Sequence, residues 1–260
     1  MLWLERLSGS RSPTGNPMDQ ASAAAAAGDY AAALALWEPL ARAGLARAQN
    51  NIGACFLEGL GVERDPVLAV KWLSLAAEAG DPLGQRNLAT AYFNGWGVVS
   101  DGTRAAELYR AAAQQGDGPA QDMLSWMLLE GRLIPADRGA AHRWALAAAE
   151  NGVAAAMTRL GMLYHGAIGV ERDPAAAAQW WRRGAEQGDA DAQAMLGAAH
   201  HLGSGVALDR RAALVWLLRA EAGGSALAAP FLGPVRAALS PEEIAEAERQ
   251  AQQALSGLRQ

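Results

Sequence analysis

Glycine returns at one fixed interval along this chain: Gly44, Gly80, Gly116, Gly152, Gly188 and Gly224, each 36 residues after the last. A single globular core makes no such demand. A stack of copies of one small unit does, because every copy must present the same faces to its neighbours. Other columns keep the step. Ile52, Leu88, Leu124, Leu160 and Leu196 form one. Ala48, Gly84, Ala120, Ala156 and Ala192 form a second, and Gly53, Ala89, Ser125, Gly161 and Gly197 a third. Phe56, Tyr92, Leu128, Tyr164 and His200 follow, and later Trp72, Leu108, Trp144, Trp180 and Trp216.

Within a unit these columns fall at helical spacing. Ala48, Ile52, Gly53 and Phe56 lie on one face of a first helix, and Ala69, Trp72, Leu73 and Ala76 on one face of a second. Gly59-Leu60-Gly61-Val62 between them supplies the positive φ of an abrupt reversal. Asp65-Pro66 and Asp173-Pro174 read as N-cap followed by proline at the first helical position. The periodic glycine sits where a left-handed residue ends the second helix. Small residues let helix backbones approach, while the aromatic columns fill the space between pairs. On this reading Trp72, Trp144, Trp180 and Trp216 are core, and Trp37 and Trp181, one column on, are packing residues. Trp96, between Gly95 and Gly97, is expected to be exposed.

The combination Ala48-Gln49-Asn50-Asn51-Ile52-Gly53, Gly59-Leu60-Gly61-Val62-Glu63-Arg64-Asp65, Ala69-Val70-Lys71-Trp72 and Ala76-Ala77-Glu78-Ala79-Gly80-Asp81 resembles the Sel-one-like repeat (SLR), a relative of the tetratricopeptide repeat. The resemblance covers most of the chain. It implies an all-α fold, an α/α superhelical solenoid whose first helices line a concave groove, and a scaffold or adaptor role with a protein or peptide partner. Two loops depart from the pattern. Gly131-Arg132-Leu133-Ile134-Pro135 carries leucine where Gly61 and Gly97 stand, and Gly166-Ala167-Ile168-Gly169 has its first glycine one position early.

The expected organisation is a disordered tail over 1–17, N-terminal capping helices over 18–44, five repeats over 45–224 (45–80, 81–116, 117–152, 153–188, 189–224), and a C-terminal partial repeat with a capping helix over 225–260. Pro230 and Pro234 shorten or break the sixth first helix. Ser240-Pro241-Glu242-Glu243 is a capping box that launches a last helix to about Leu255, with Ile244, Ala247, Ala251 and Leu255 as its apolar stripe.

A net charge of −5 disfavours nucleic acid as a partner, which needs a basic stripe. Lys71 is the only lysine, an arginine bias typical of a GC-rich bacterial genome. Glu5 and Arg6 interrupt Leu2–Leu7, so the first residues make a poor signal peptide, and no segment reads as a membrane span. Met18 is an alternative start. The expected compartment is the bacterial cytoplasm, or the periplasm if an upstream start adds a signal peptide. One secreted branch of the resembled family carries a cysteine pair in each repeat and includes β-lactam-binding or hydrolysing members. Cys55 is the only cysteine here, so the resemblance does not extend to that branch. A hydrolase of that kind and a cell-envelope scaffold are the alternatives to an adaptor.

No catalytic, cofactor or metal signature stands out. Gly59-x-Gly61 and Gly203-x-Gly205 follow helices rather than strands, against the pattern of nucleotide loops. His165 and His201 share a column without a neighbouring fixed carboxylate and read as ordinary groove or capping residues. By analogy with tetratricopeptide grooves, positions two before and two after the Ile52 column face inward. These are Asn50, Arg86, Asp122 and Thr158, then Ala54, Thr90, Trp126 and Met162, joined by Phe93 and His165, with Asn51, Asn87 and Arg159 at the edge. Trp126 reads either as an interface anchor or as packing on an adjacent first helix. A mixture of amide, guanidinium and aromatic groups suits an extended peptide or a partner helix.

Overall fold

The computed structural model describes residues 15–257, and every regular element among them is helical. Two helices open the chain, α1 (Pro17–Ala26) and α2 (Tyr30–Arg42). Five pairs follow: α3 (Ala46–Glu58) with α4 (Pro66–Glu78), α5 (Pro82–Asn94) with α6 (Gly102–Gln114), α7 (Gly118–Glu130) with α8 (Arg138–Glu150), α9 (Ala154–Gly166) with α10 (Pro174–Glu186), and α11 (Ala190–Leu202) with α12 (Arg210–Ala222). A 3-10 turn (Ala226–Ala228), α13 (Ala229–Ala237) and α14 (Pro241–Gly257) close it. The fold class is all-α, a solenoid of helix-turn-helix repeats. The chain divides within α6 into two compact units, residues 1–108 and 109–260. In the first, consecutive helices from α1 to α5 pack on one another; in the second, those from α7 to α12 do, with α13 and α14 closing against α12. Residues 1–14, most of the expected tail, lie outside the described residues, as does the Leu255 side chain.

Local chemistry sets the boundaries. Asp65 Oδ1 accepts from Leu68 N at 2.9 Å, and Asp29, Asp137, Asp173 and Asp209 cap α2, α8, α10 and α12 in the same way. The backbone N–H of each repeat's cap also closes the preceding loop, as when Asp209 N donates to His200 O at 3.0 Å. At the carboxyl end of a second helix Gly80 takes φ +85° with nothing near its missing Cβ, so conformation alone requires glycine there. The second loop glycine is needed for space as well: a Cβ on Gly205 would land on the carbonyl of Pro174, which opens the preceding second helix. Ala167 occupies the left-handed cap of α9 at φ +54°, the one described non-glycine residue with positive φ, because the glycine of that loop is displaced to 166.

The core corrects one expectation. Trp72, Trp144, Trp180 and Trp216 are only half-buried, whereas the next column is fully inside: Leu73 at 0%, Tyr109 at 2%, Ala145 at 0%, Trp181 at 4% and Leu217 at 0% exposure. One residue is about 100° of helix, enough to turn a side chain from its own partner helix toward the preceding pair. Trp72 packs against the cluster of α1–α3, Trp180 against that of α8 and α9, and Trp216 against that of α10 and α11. Arg183 and Arg219 lie over the Trp180 and Trp216 rings at 4.2 and 4.4 Å. The inner column instead meets the small residues of its own first helix. A Cβ on Gly53 would sit 2.8 Å from Leu73, and one on Gly197 would sit 2.8 Å from Leu217. On Gly161 it would overlap the Trp181 indole. Where the inner residue is only Ala145, the facing column carries Ser125, whose Oγ donates to Ala141 O at 2.8 Å.

At the carboxyl end Leu232, Ala228 and Val235 are buried against α12, and the Ser240 capping box forms reciprocally, Ser240 N to Glu243 at 2.9 Å and Glu243 N to Ser240 at 3.2 Å.

The two tryptophan columns separate experimentally. Trp181→Ala removes a side chain enclosed on all sides and is expected to cost about 3–5 kcal/mol. Trp144→Ala is expected to cost about 1–2 kcal/mol, as for a half-exposed residue. Urea denaturation of both variants checks the order; equal losses would contradict it.

Candidate functional site

The first helices α3, α5, α7, α9 and α11 carry the residues that vary from repeat to repeat on one periodic frame. Their positions were set by the glycine and leucine columns behind them. What each varying side chain does is decided by its burial and its partners.

In the first unit Asn50 on α3 is 3% exposed. Its amide donates to Asn51 Oδ1 at 3.2 Å and its oxygen accepts from Asn87 on α5 at 2.8 Å. Arg86, Thr90 and Phe93 are half-buried along α5, with Thr90 Oγ1 donating to Arg86 O at 3.0 Å. Ala54 is half-buried. In the second unit Asp122 on α7 accepts from Arg159 on α9, Nε at 3.1 Å and Nη2 at 3.4 Å, with only 14% and 21% of the two side chains exposed. Thr158 is 5% exposed; its hydroxyl donates to Asp189 Oδ1 at 2.8 Å, and its carbonyl accepts from Trp181 Nε1 at 3.2 Å. Trp126 is half-buried, Met162 is 38% exposed and His165 is exposed, its ring centroid 5.6 Å from that of Trp181.

The inward-facing row is therefore two populations. Asn50, Asp122 and Thr158 occupy one column and are placed inside rather than on an open wall. They bond a neighbouring repeat: Asn50 to Asn87 and Asp122 to Arg159 one residue off the column, Thr158 to the carboxylate that caps α11. The physical reason is the short distance between adjacent first helices, which contact directly as α3 with α5 and α9 with α11. A polar group caught there must be satisfied by the next repeat. Arg86, Thr90, Phe93, Trp126, Met162 and His165 keep accessible surface and remain the candidate contact residues.

Periodicity held a second polar column that went unassigned in the sequence. Gln49, Gln85, Gln121 and Gln193 are 4–9% exposed. Each donates its amide to a carbonyl eight residues back near the end of the preceding second helix: Ala41 at 3.1 Å, Ala77 at 3.4 Å, Ala113 at 3.0 Å and Ala185 at 3.2 Å. Met157 stands in this column in the fourth repeat. The 36-residue spacing of the glutamines was the signal that could have found them. Two further ties join repeats at their helix starts, Arg47 Nε to Asp81 at 2.8 Å and Ser225 Oγ to Asp191 at 2.5 Å.

Two histidines, His142 and His201, pack against aromatic rings. His142 lies edge-on to Tyr164 at 5.3 Å, and burial, reinforced by Arg143, lowers its pKa from the ordinary value. His201 meets Phe231 at 6.4 Å. Among the described residues no three of His, Cys, Asp and Glu are grouped to hold a metal ion, and no helix is long and apolar enough to cross a membrane.

A residue spent on a tie between repeats should report in stability. Thr158→Val keeps the shape but removes the hydroxyl donor to Asp189, and is expected to cost about 1–2 kcal/mol in urea denaturation. No loss of stability would return Thr158 to the open wall.

The Sel1 repeat model matches five consecutive segments, 46–81, 82–117, 118–153, 154–189 and 190–225. A Sel1 repeat protein from Oxalobacter formigenes is similar in structure at a TM-score of 0.78 and 32% identity, over 91% of this chain and 99% of its own. The c5321 protein, a protective antigen of uropathogenic Escherichia coli strains displaying an SLR fold, is similar at a TM-score of 0.76 and 27% identity, over 92% of this chain and 57% of its own. The search of curated proteins finds no match. Five contiguous matches in register with the five capped helix pairs leave one assignment: the chain belongs to the Sel1 repeat family.

Proposed function

We propose that the protein is a non-enzymatic adaptor that holds a protein or peptide partner against the first-helix face of its repeats. Sel1 repeats typically mediate protein–protein interaction. The observation that carries the reading is the division of labour on the first helices. The recurrent polar residues, the Asp caps and the Gln column, are spent on backbone hydrogen bonds within the stack. Residues at columns that vary between repeats, Arg86, Thr90 and Phe93 on α5, Trp126 on α7, and Met162 and His165 on α9, keep accessible surface. Arg86, Thr90 and Phe93 follow one another at i, i+4 and i+7, a single helix face offering guanidinium, hydroxyl and phenyl groups. An arginine fork suits a carboxylate, and an aromatic ring supplies area that desolvates on contact. The partner is an extended segment or a helix, bound without chemical change.

Crosslinking pull-down with the full chain as bait identifies the partner, and variants then map the face. Arg86→Ala and Met162→Ala are each expected to weaken binding roughly five- to tenfold, the scale of a good interface residue, with helicity and melting unchanged. Binding that ignores both and responds only to a second-helix change such as Arg110→Glu would move the site off the first helices.

A further inference from the structure

The third repeat departs from the other four at three positions within eight residues, and all three line one cavity. Trp126 stands where the others have Ala54, Thr90, Met162 and Ala198. Arg132 stands in the column of Leu60, Trp96, Ile168 and Ser204, and Leu133 in that of Gly61, Gly97, Gly169 and Gly205. With Met127 and Glu130 they enclose a cavity of about 180 Å³ at the end of α7. Indole, thioether and isobutyl groups supply its apolar surface. Leu133, which a packing role would bury, is 43% exposed. At the rim Arg132 and Glu130 are 3.6 Å apart, too long for a hydrogen bond, and the Arg132 side chain is 84% exposed against 41% for Glu130.

Resting on the reading of the first-helix face as the binding surface, we propose that this cavity seats one bulky apolar side chain, leucine or phenylalanine, of a bound peptide, and that an acidic residue beside that anchor pairs with Arg132. The volume accommodates a single such side chain. Filling a small, apolar, partly walled pocket with one anchor is how few residues come to dominate an interface. The charge preference follows from reach. Arg132 is the more exposed member of the rim pair and holds Glu130 only at arm's length, so its planar fork meets an incoming carboxylate first. The pocket gives the third repeat a specificity of its own.

Panning a phage library of random twelve-residue peptides on the full chain tests this. Enriched peptides are expected to share a leucine or phenylalanine flanked by aspartate or glutamate. They should bind Leu133→Gly, which restores the residue of the other repeats, roughly tenfold more weakly by fluorescence anisotropy. Panning on Arg132→Glu should select basic flanks instead. Thermal melts of both variants should match the parent, since each change lies on exposed surface. Peptides that bind Leu133→Gly and Arg132→Glu as tightly as the parent overturn the pocket. If those peptides nevertheless lose affinity on Arg86→Ala or Met162→Ala, the adaptor reading survives without it. Failure to enrich any peptide, or enrichment only of peptides displaced by Arg110→Glu, overturns both.

Discussion

Everything in this structure depends on how closely the two helices of one repeat approach. The approach is set by a small residue on the first helix opposite a larger one on the second. Gly161 admits the Trp181 indole, and Gly53 and Gly197 admit Leu73 and Leu217. Ser125 fills the space left where the partner is only Ala145, and its hydroxyl is satisfied by a carbonyl of the partner helix. The division between the two side chains varies from repeat to repeat, from Gly161 facing Trp181 to Ser125 facing Ala145. Once the pair is set, the loop has little freedom. Its second glycine must pass against the start of the preceding second helix, and the Asp cap fixes where the next helix begins.

Stacking then follows from what the pair leaves uncovered. The half-buried tryptophan column reaches back onto the preceding pair, and the buried glutamines fasten each first helix to the end of the second helix before it. These links are local in sequence, rarely more than one repeat long, so surface residues on the first helices can vary without disturbing the frame. That freedom is where the proposed binding residues lie, from Arg86 and Phe93 on α5 to the cavity beside Trp126.

Much of the architecture was legible because it repeats. A column of glycines 36 residues apart, Asp-Pro helix starts and the Ser240 capping box each carry a local physical cause that needs no distant partner. What periodicity could not supply was helical phase. Four tryptophans in one column look like a core, yet the enclosed position is the next one, shared by residues as unlike as Leu73, Tyr109, Ala145 and Trp181. Burial at the candidate residues turns on the same kind of point. Asn50, Asp122 and Thr158 sit at the expected column, but whether a side chain there meets solvent or its neighbour depends on the gap between adjacent first helices. That distance is a property of the stack and is not written in any one repeat.

In a stack of this kind, contacts reach only to the next repeat. Deleting residues 153–188 joins Gly152 to Asp189, preserving the left-handed glycine and the aspartate cap at the junction, and brings Gln193 to the Ala149 carbonyl. The shortened protein is expected to keep its helical ellipticity per residue and to unfold in one cooperative urea transition. Collapse to coil by circular dichroism would contradict it, because it would mean that distant repeats hold the fold together.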